Sequence, residues 1–226
     1  MELIINPSFT RTQSQAIKYL FDDKTNDILF GGAAGGGKSF IGCAWLILLC
    51  IKYPGTRYLM GRSKLDNLKK TTLNTFFEIC AMWNIRSGTH FNFNGGSNII
   101  TFYNKSEIML KDLFHYPSDP NYDSLGSLEI TGAFIDEASQ ITETAKNIVN
   151  SRIRYKLDKY NLIPKLLLTC NPSKNWTYTQ YYRPAKEGKI ESHKKFIQSL
   201  VDDNPFISVH YKGQLEKLDE ISKQRL

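Results

Sequence analysis

Nine residues, Gly31-Gly-Ala-Ala-Gly-Gly-Gly-Lys-Ser39, fit the pattern G-x-x-x-x-G-K-[ST] from Gly32 onward. The chemistry this spacing serves is the binding of a phosphate chain. Without a Cβ a residue tolerates positive φ and lets phosphate oxygens come close, so backbone N–H groups from Gly32 through Ala33, Ala34, Gly35, Gly36 and Gly37 can turn inward around an anion. Lys38 then reaches the β- and γ-phosphates and Ser39 offers its hydroxyl to Mg²⁺. A helix beginning there aims its positive end at the same charge. The pattern predicts a nucleoside triphosphate site.

Two further segments have the residue types such a site needs. Gly132-Ala-Phe-Ile-Asp136-Glu137 is an apolar strand ending in adjacent carboxylates, about 100 residues beyond the loop. Asp136 would hold Mg²⁺ through its water shell, and Glu137, one step on, would polarise an attacking water. Standing alone, the same pair would read as a cap on the next helix. Leu166-Leu-Leu-Thr169-Cys170-Asn171-Pro172 is a buried strand with a polar end. In a parallel sheet ligands collect at carboxyl ends, which places Thr169 and Asn171 near the γ-phosphate; a hydrogen-bonded strand end before a proline turn is the alternative. Gln13 has one amide donor side and one acceptor side to offer an adenine edge, although a helix surface would equally accommodate it. Arg62, Arg152 and Arg154 are the arginines that could stabilise charge on a transferring phosphoryl group. Spacing singles out none of them.

The elements that must position these residues can be read in order. Asp27 to Gly31 reads as a buried strand, and residues 40–51 as an apolar helix behind the loop. An amphipathic helix with Ala16, Ile17, Leu20 and Phe21 on one face precedes them. Next come a strand at 57–61, one long helical pattern with Leu65, Leu68, Leu73, Phe76, Phe77 and Cys80, and a β-hairpin over 98–112. A long polar loop spans 114–127. A strand at 130–136, a helix over 142–157, and strands at 165–170 and 195–201 follow, with a terminal helix from about Pro205 carrying Val209, Leu215 and Leu218. Strands alternating with helices predict an α/β fold with a mainly parallel central sheet flanked by helices.

Composition bounds the rest. A 226-residue chain with 41% hydrophobic residues can bury a full core. The apolar run at 41–51 is too short to span a bilayer, and Met1-Glu2 opens without a basic region, so no signal peptide is expected. Cys43, Cys50, Cys80 and Cys170 match no metal or disulfide spacing and read as core residues in a reducing compartment. The net charge of +7 sits in the last third, because residues 1–150 carry 14 Lys/Arg against 14 Asp/Glu while 151–226 carry 15 against 8. A polyanion-binding face is therefore expected there, around Lys186, Lys189, Lys194 and Lys195, with a solvated basic surface as the alternative.

Taken in order, these pieces resemble the ATPase domain of the large terminase subunit of tailed bacteriophages. The likeness is carried by Ile28 to Ser39, Ile135-Asp-Glu-Ala-Ser139, Leu168-Thr-Cys-Asn-Pro-Ser173, Asn175-Trp-Thr-Tyr178 and Asp203-Asn-Pro-Phe206. It implies a P-loop ATPase of the additional-strand, RecA-like type over residues 1–200, with the hairpin as an insertion. Residues 201–226 would be a small lid or linker toward a nuclease domain. The implied function is an ATP- and Mg²⁺-dependent motor that moves double-stranded DNA into a procapsid. Its implied partners are a portal protein, a small terminase subunit and copies of itself in a ring of five, working in the host cytoplasm and transiently at the portal. By position Gln13 resembles the adenine-binding residue, Asp136 and Glu137 the metal and catalytic carboxylates, and Thr169 to Asn171 the segment coupling hydrolysis to DNA movement. Many terminases carry arginine inside the phosphate loop, where this chain has Ala33 and Ala34, and some carry one where it has Ser124-Leu125-Gly126. A superfamily 2 helicase-like core, and a nucleotide-gated DNA-binding or assembly module with little turnover, are the competing functions. No nuclease activity is expected of these residues, since two-metal cleavage needs several converging carboxylates.

Overall fold

The computed structural model describes residues 5, 7–32, 35–205, 210 and 213. Helix α1 (Arg11–Leu20) begins at Thr10, whose hydroxyl accepts from the Gln13 N–H while the Gln13 side chain accepts from the Thr10 N–H, a reciprocal capping box. Strand β1 (Asp27–Gly32) is buried at all six positions. Helix α2 (Lys38–Lys52) is apolar nearly all round and correspondingly central, with its residues from Ile41 to Ile47 buried. Then come β2 (Arg57–Arg62), α3 (Leu65–Lys70), α4 (Thr72–Met82), β3 (Phe91–Asn94), β4 (Ile99–Phe102), β5 (Glu107–Asp112) and α5 (Asp123–Gly126). Strand β6 (Gly132–Ile135), α6 (Glu143–Ser151), α7 (Leu157–Tyr160), β7 (Leu166–Cys170), α8 (Arg183–Lys186) and β8 (Lys194–Ser199) complete the set. Among the described residues no helix is long and apolar enough to cross a membrane.

The strands form one eight-stranded sheet in the order β3-β4-β5-β2-β6-β7-β1-β8. From β5 to β8 every neighbouring pair is parallel, so the carboxyl ends of six strands lie along one edge. Strand β7 separates β1 from β6, which puts an extra strand between the loop-bearing strand and the strand ending at Asp136. This is the additional-strand arrangement. One face of the sheet packs α1, α2 and α4 through Leu20, Trp45, Phe76 and Phe102, and the other packs α6 through Leu29, Ile135, Leu168, Ala145 and Val149.

Three elements differ from the sequence reading. The hairpin forms as β4 and β5, yet β5 also pairs with β2 from Arg57↔Glu107 to Arg62↔Asp112, and β3 adds a further strand at the edge. The hairpin is thus part of a meander that widens the main sheet. Phe91 and Phe93 alternating with Asn92 and Asn94 ahead of Gly95-Gly96 carried that signal. The single helical pattern over 65–80 is two helices, broken at Thr71 (φ −127°, ψ −74°). The helix expected over 142–157 stops at Ser151, because the sheet captures its next backbone groups: Ile130 N–H donates to Arg152 O at 3.1 Å and Arg154 N–H donates to Ile130 O at 2.8 Å. The terminal helix expected to carry Val209, Leu215 and Leu218 lies outside the described residues.

Candidate active site

The glycine-rich loop leaves β1 at Gly32, where φ is +144° and a Cβ would fall 1.9 Å from the carbonyl oxygen of Ser199 at the end of β8. The loop is tethered from outside by side chains that take its carbonyls. Ser199 Oγ donates to Gly36 O at 2.8 Å, Asn204 Nδ2 to Gly35 O at 2.6 Å, and Gln13 Nε2 to Gly37 O at 3.2 Å. Gly37 caps α2 with φ +70°, a conformation that suits residues without a Cβ. Ala33 and Ala34 lie outside the described residues. Replacing Gly32 by Ala combines a backbone clash with a positive φ. The expected loss of stability is about 2–5 kcal/mol, from overpacking of roughly 1–3 and backbone strain of roughly 1–2. A urea titration reads this directly, and an unchanged midpoint would mean that the loop and β8 are not in contact.

Behind the loop, Lys38 is buried and its ammonium donates to Gly32 O at 3.0 Å. Burial pulls its pKa down, partly opposed by the charges of Glu137 and Asp136. Ser39 Oγ lies 3.0 Å from Asp136 Oδ2 and 3.2 Å from Oδ1. Asp136 is 2% exposed. Besides Ser39, its carboxylate accepts from Thr72 Oγ1 and Thr169 Oγ1, each at 2.6 Å, and from the Glu137 N–H at 3.2 Å. An Arg62 guanidinium nitrogen stands 4.0 Å from Oδ2 and also donates to Thr71 Oγ1.

Glu137 has φ +52° and ψ +48°, the left-handed region that a non-glycine residue occupies rarely. Burial and the neighbouring Asp136 push its carboxyl pKa above the ordinary value, while Lys38, Arg62 and the Asn171 N–H act against that. Glu137 lines an open cavity of about 880 Å³, shared with Gly32, Asn171, Lys174, Tyr178 and Tyr182. Asn171 Oδ1 is buried there without a hydrogen-bond partner.

The chain thus brings Gln13, the loop, Lys38, Ser39, Arg62, Asp136, Glu137, Thr169 and Asn171 to the carboxyl edge of the sheet. Arg152 and Arg154 are not among them. They flank the bridge between Ile130 and Ile153, ahead of the start of β6, about 20 Å from Asp136 at roughly 3.3 Å per strand residue. Arg154 pairs there with Glu129 at 3.4 Å. Sequence reasoning missed Thr72, Ser199 and Asn204. The β-branched pair Thr71-Thr72 inside a helical pattern was a signal for the first, and Asn204 sits in the Asp-Asn-Pro-Phe segment without a role having been read for it.

A family model described as phage terminase large subunit matches residues 23–225. No curated protein matches. Among solved structures, the large terminase of a thermophilic bacteriophage is 17% identical with a TM-score of 0.74 over 96% of this chain and 52% of that one. That protein has also been solved with ADP and with ATP-gamma-S. The large terminase ATPase domain of Thermus phage P74-26 is 14% identical with a TM-score of 0.64, covering 97% of this chain and 92% of that domain. The N-terminal domain of the DNA packaging ATPase of bacteriophage phi29 is 14% identical with a TM-score of 0.57, covering 88% and 100%. At these identities the likeness is one of fold. The chain spans about half the length of the first of these relatives.

Proposed function

The chain belongs to the phage terminase large subunit family, and from that premise we propose that it is an ATP-hydrolysing motor domain that moves double-stranded DNA. The observation carrying this reading is the meeting of Ser39 with Asp136 at 3.0 Å, directly behind the buried Lys38 and beside Glu137. A phosphate-binding lysine, a metal-binding hydroxyl and two carboxylates in one place are what phosphoryl transfer to water requires. Mg²⁺ fits the donor set, since a hydroxyl and a carboxylate are hard oxygen ligands, and Ser39 and, through its water shell, Asp136 would hold it. The ion would neutralise charge on the β- and γ-oxygens.

The chain's own residues would divide the remaining work. Lys38 neutralises phosphate charge from within the loop. Glu137, which lines the open cavity, accepts the proton of the attacking water and orients it. Gln13 already uses one donor on Gly37 O and its oxygen on Thr10 N–H, which leaves one N–H and one lone pair for an adenine edge. Of the three candidate arginines, Arg62 is the one within reach of transferred charge in its own protomer, and Arg152 or Arg154 could serve only a neighbour's site. Thr169 and Asn171 would sense the γ-phosphate, the first through Asp136 and the second through Glu137. Residues 1–200 would form the ATPase unit and 201–226 a lid or linker, whose Asn204 donates to Gly35 O of the loop. Translocation into a procapsid, the portal and small-subunit partners, the ring and the host-cytoplasm setting belong to the same proposal.

DNA-stimulated ATP hydrolysis tests it. The chain is expected to hydrolyse ATP slowly alone and faster with duplex DNA, with DNA affinity falling steeply as salt rises, because phosphate contacts release counterions. Charge reversal at Lys186, Lys189, Lys194 and Lys195 is expected to flatten that salt dependence. ATP binding without any hydrolysis, with or without DNA, would favour the nucleotide-gated module. Strand separation on a forked duplex would favour the helicase-like core.

A further inference from the structure

Thr71 and Thr72 interrupt what would otherwise be one helix, and their hydroxyls go to opposite charges. Thr71 Oγ1 accepts from the Arg62 guanidinium, and Thr72 Oγ1 donates to Asp136 Oδ2 at 2.6 Å. Arg62 and Asp136 themselves stand 4.0 Å apart, with their side chains 14% and 3% exposed. In so dry a place an arginine and an aspartate would normally close into a direct, hydrogen-bonded pair, because that geometry compensates desolvation best. We propose that Thr72 is a positioning residue that keeps Asp136 available to the metal by holding Oδ2 away from Arg62. The inference rests on the assignment of Asp136 as a metal residue.

The partners of each oxygen carry the argument. Oδ1 accepts from Thr169, from Ser39 and from the Glu137 N–H. Oδ2 accepts from Ser39 and Thr72, with Arg62 next in line. If Ser39 turns to a metal ion, Thr72 is the hydroxyl left on Oδ2. Without it, the guanidinium at 4.0 Å is the charged donor already paired with Oδ2 among the described residues, and a closed Arg62–Asp136 pair would withdraw negative charge from the metal position. Thr72 is fully buried, so no solvent hydroxyl takes its place. Groups in this outer position commonly change metal affinity by about 10–100-fold.

The test is Mn²⁺ binding to the ADP-bound chain, followed by electron paramagnetic resonance, for the wild type, Thr72→Val and Thr72→Ser. Valine keeps the shape and loses the hydroxyl; serine keeps the hydroxyl and loses a methyl. Thr72→Val is expected to weaken Mn²⁺ binding by about 10-fold or more while ADP affinity in the absence of metal stays unchanged, and Thr72→Ser is expected to restore it. The double variant Arg62→Gln, Thr72→Val should recover most of the loss, since the competing cation is gone. Wild-type Mn²⁺ affinity in Thr72→Val, or a loss in Thr72→Ser as large as in the valine variant, would overturn the proposal. Should Thr72→Val fail to fold, Thr72→Ala, which also lacks the hydroxyl, takes its place in the comparison with Thr72→Ser and the same outcomes decide. A wild-type chain that binds neither ADP nor Mn²⁺ would instead overturn the nucleotide-site reading itself.

Discussion

Replacing Glu137 by Gln is expected to lower ATP hydrolysis by about 10²–10⁴-fold while leaving Mg-ATP affinity near that of the wild type, the range a positioned general base contributes. The geometry separates Glu137 from its neighbour. Asp136 accepts hydrogen bonds from three hydroxyls, whereas Glu137, with a left-handed backbone, lines the open cavity together with Asn171. Asp136→Ala should therefore lose the Mg²⁺ dependence of nucleotide binding as well as turnover. The pH profile gives an independent check. The Glu137 carboxyl is shifted upward, by burial first and Asp136 second, so its protonation on acidification removes the base at a higher pH than an ordinary glutamate would. Hydrolysis is expected to fall on the acid side, starting above the usual glutamate range, and the limb assigned to Glu137 should vanish in Glu137→Gln. Equal loss of turnover with equal retention of affinity in the Asp136 and Glu137 variants would sink this division of roles.

Lys38→Ala is expected to weaken ATP binding by about 10²–10⁴-fold, the equivalent of about 3–6 kcal/mol for two charge-assisted contacts at roughly 1.5–3 each. Two effects compete here. The ammonium is desolvated in the free protein, which makes its presence unfavourable, and burial accordingly pulls its pKa down. Removing it, however, leaves the carboxylates of Asp136 and Glu137 facing a triphosphate without a compensating cation in the loop. Repulsion in a buried setting exceeds the relief from desolvation, so the net effect is a loss. Titration with a fluorescent ATP analogue measures it. Unchanged affinity in Lys38→Ala would show that the glycine-rich loop is not the phosphate site.

Local patterns determined much of this protein by themselves. The loop, the apolar strands ending at Asp136 and Cys170, and the alternation of strands with helices are short-range features, since glycine tolerance of positive φ and the two-residue period of a strand need no distant partner. They gave the parallel α/β class, and the family resemblance carried the extra strand between loop and carboxylates. Other features depend on what meets across the sheet. The helix over 65–80 reads as continuous because its apolar spacing is continuous; it breaks at Thr71, where the hydroxyls of Thr71 and Thr72 meet Arg62 and Asp136, 9 and 64 residues away in the chain. Likewise Arg62, Arg152 and Arg154 are equivalent to any rule of spacing. Strand direction separates them, placing Arg62 at the carboxyl end of β2 and the other two ahead of the opposite end of β6. Residue type and spacing fixed which chemistry was available, because a local backbone pattern encodes it. Which side chains share one carboxylate was decided by sheet order and register, because those depend on contacts between segments that no single stretch of sequence contains.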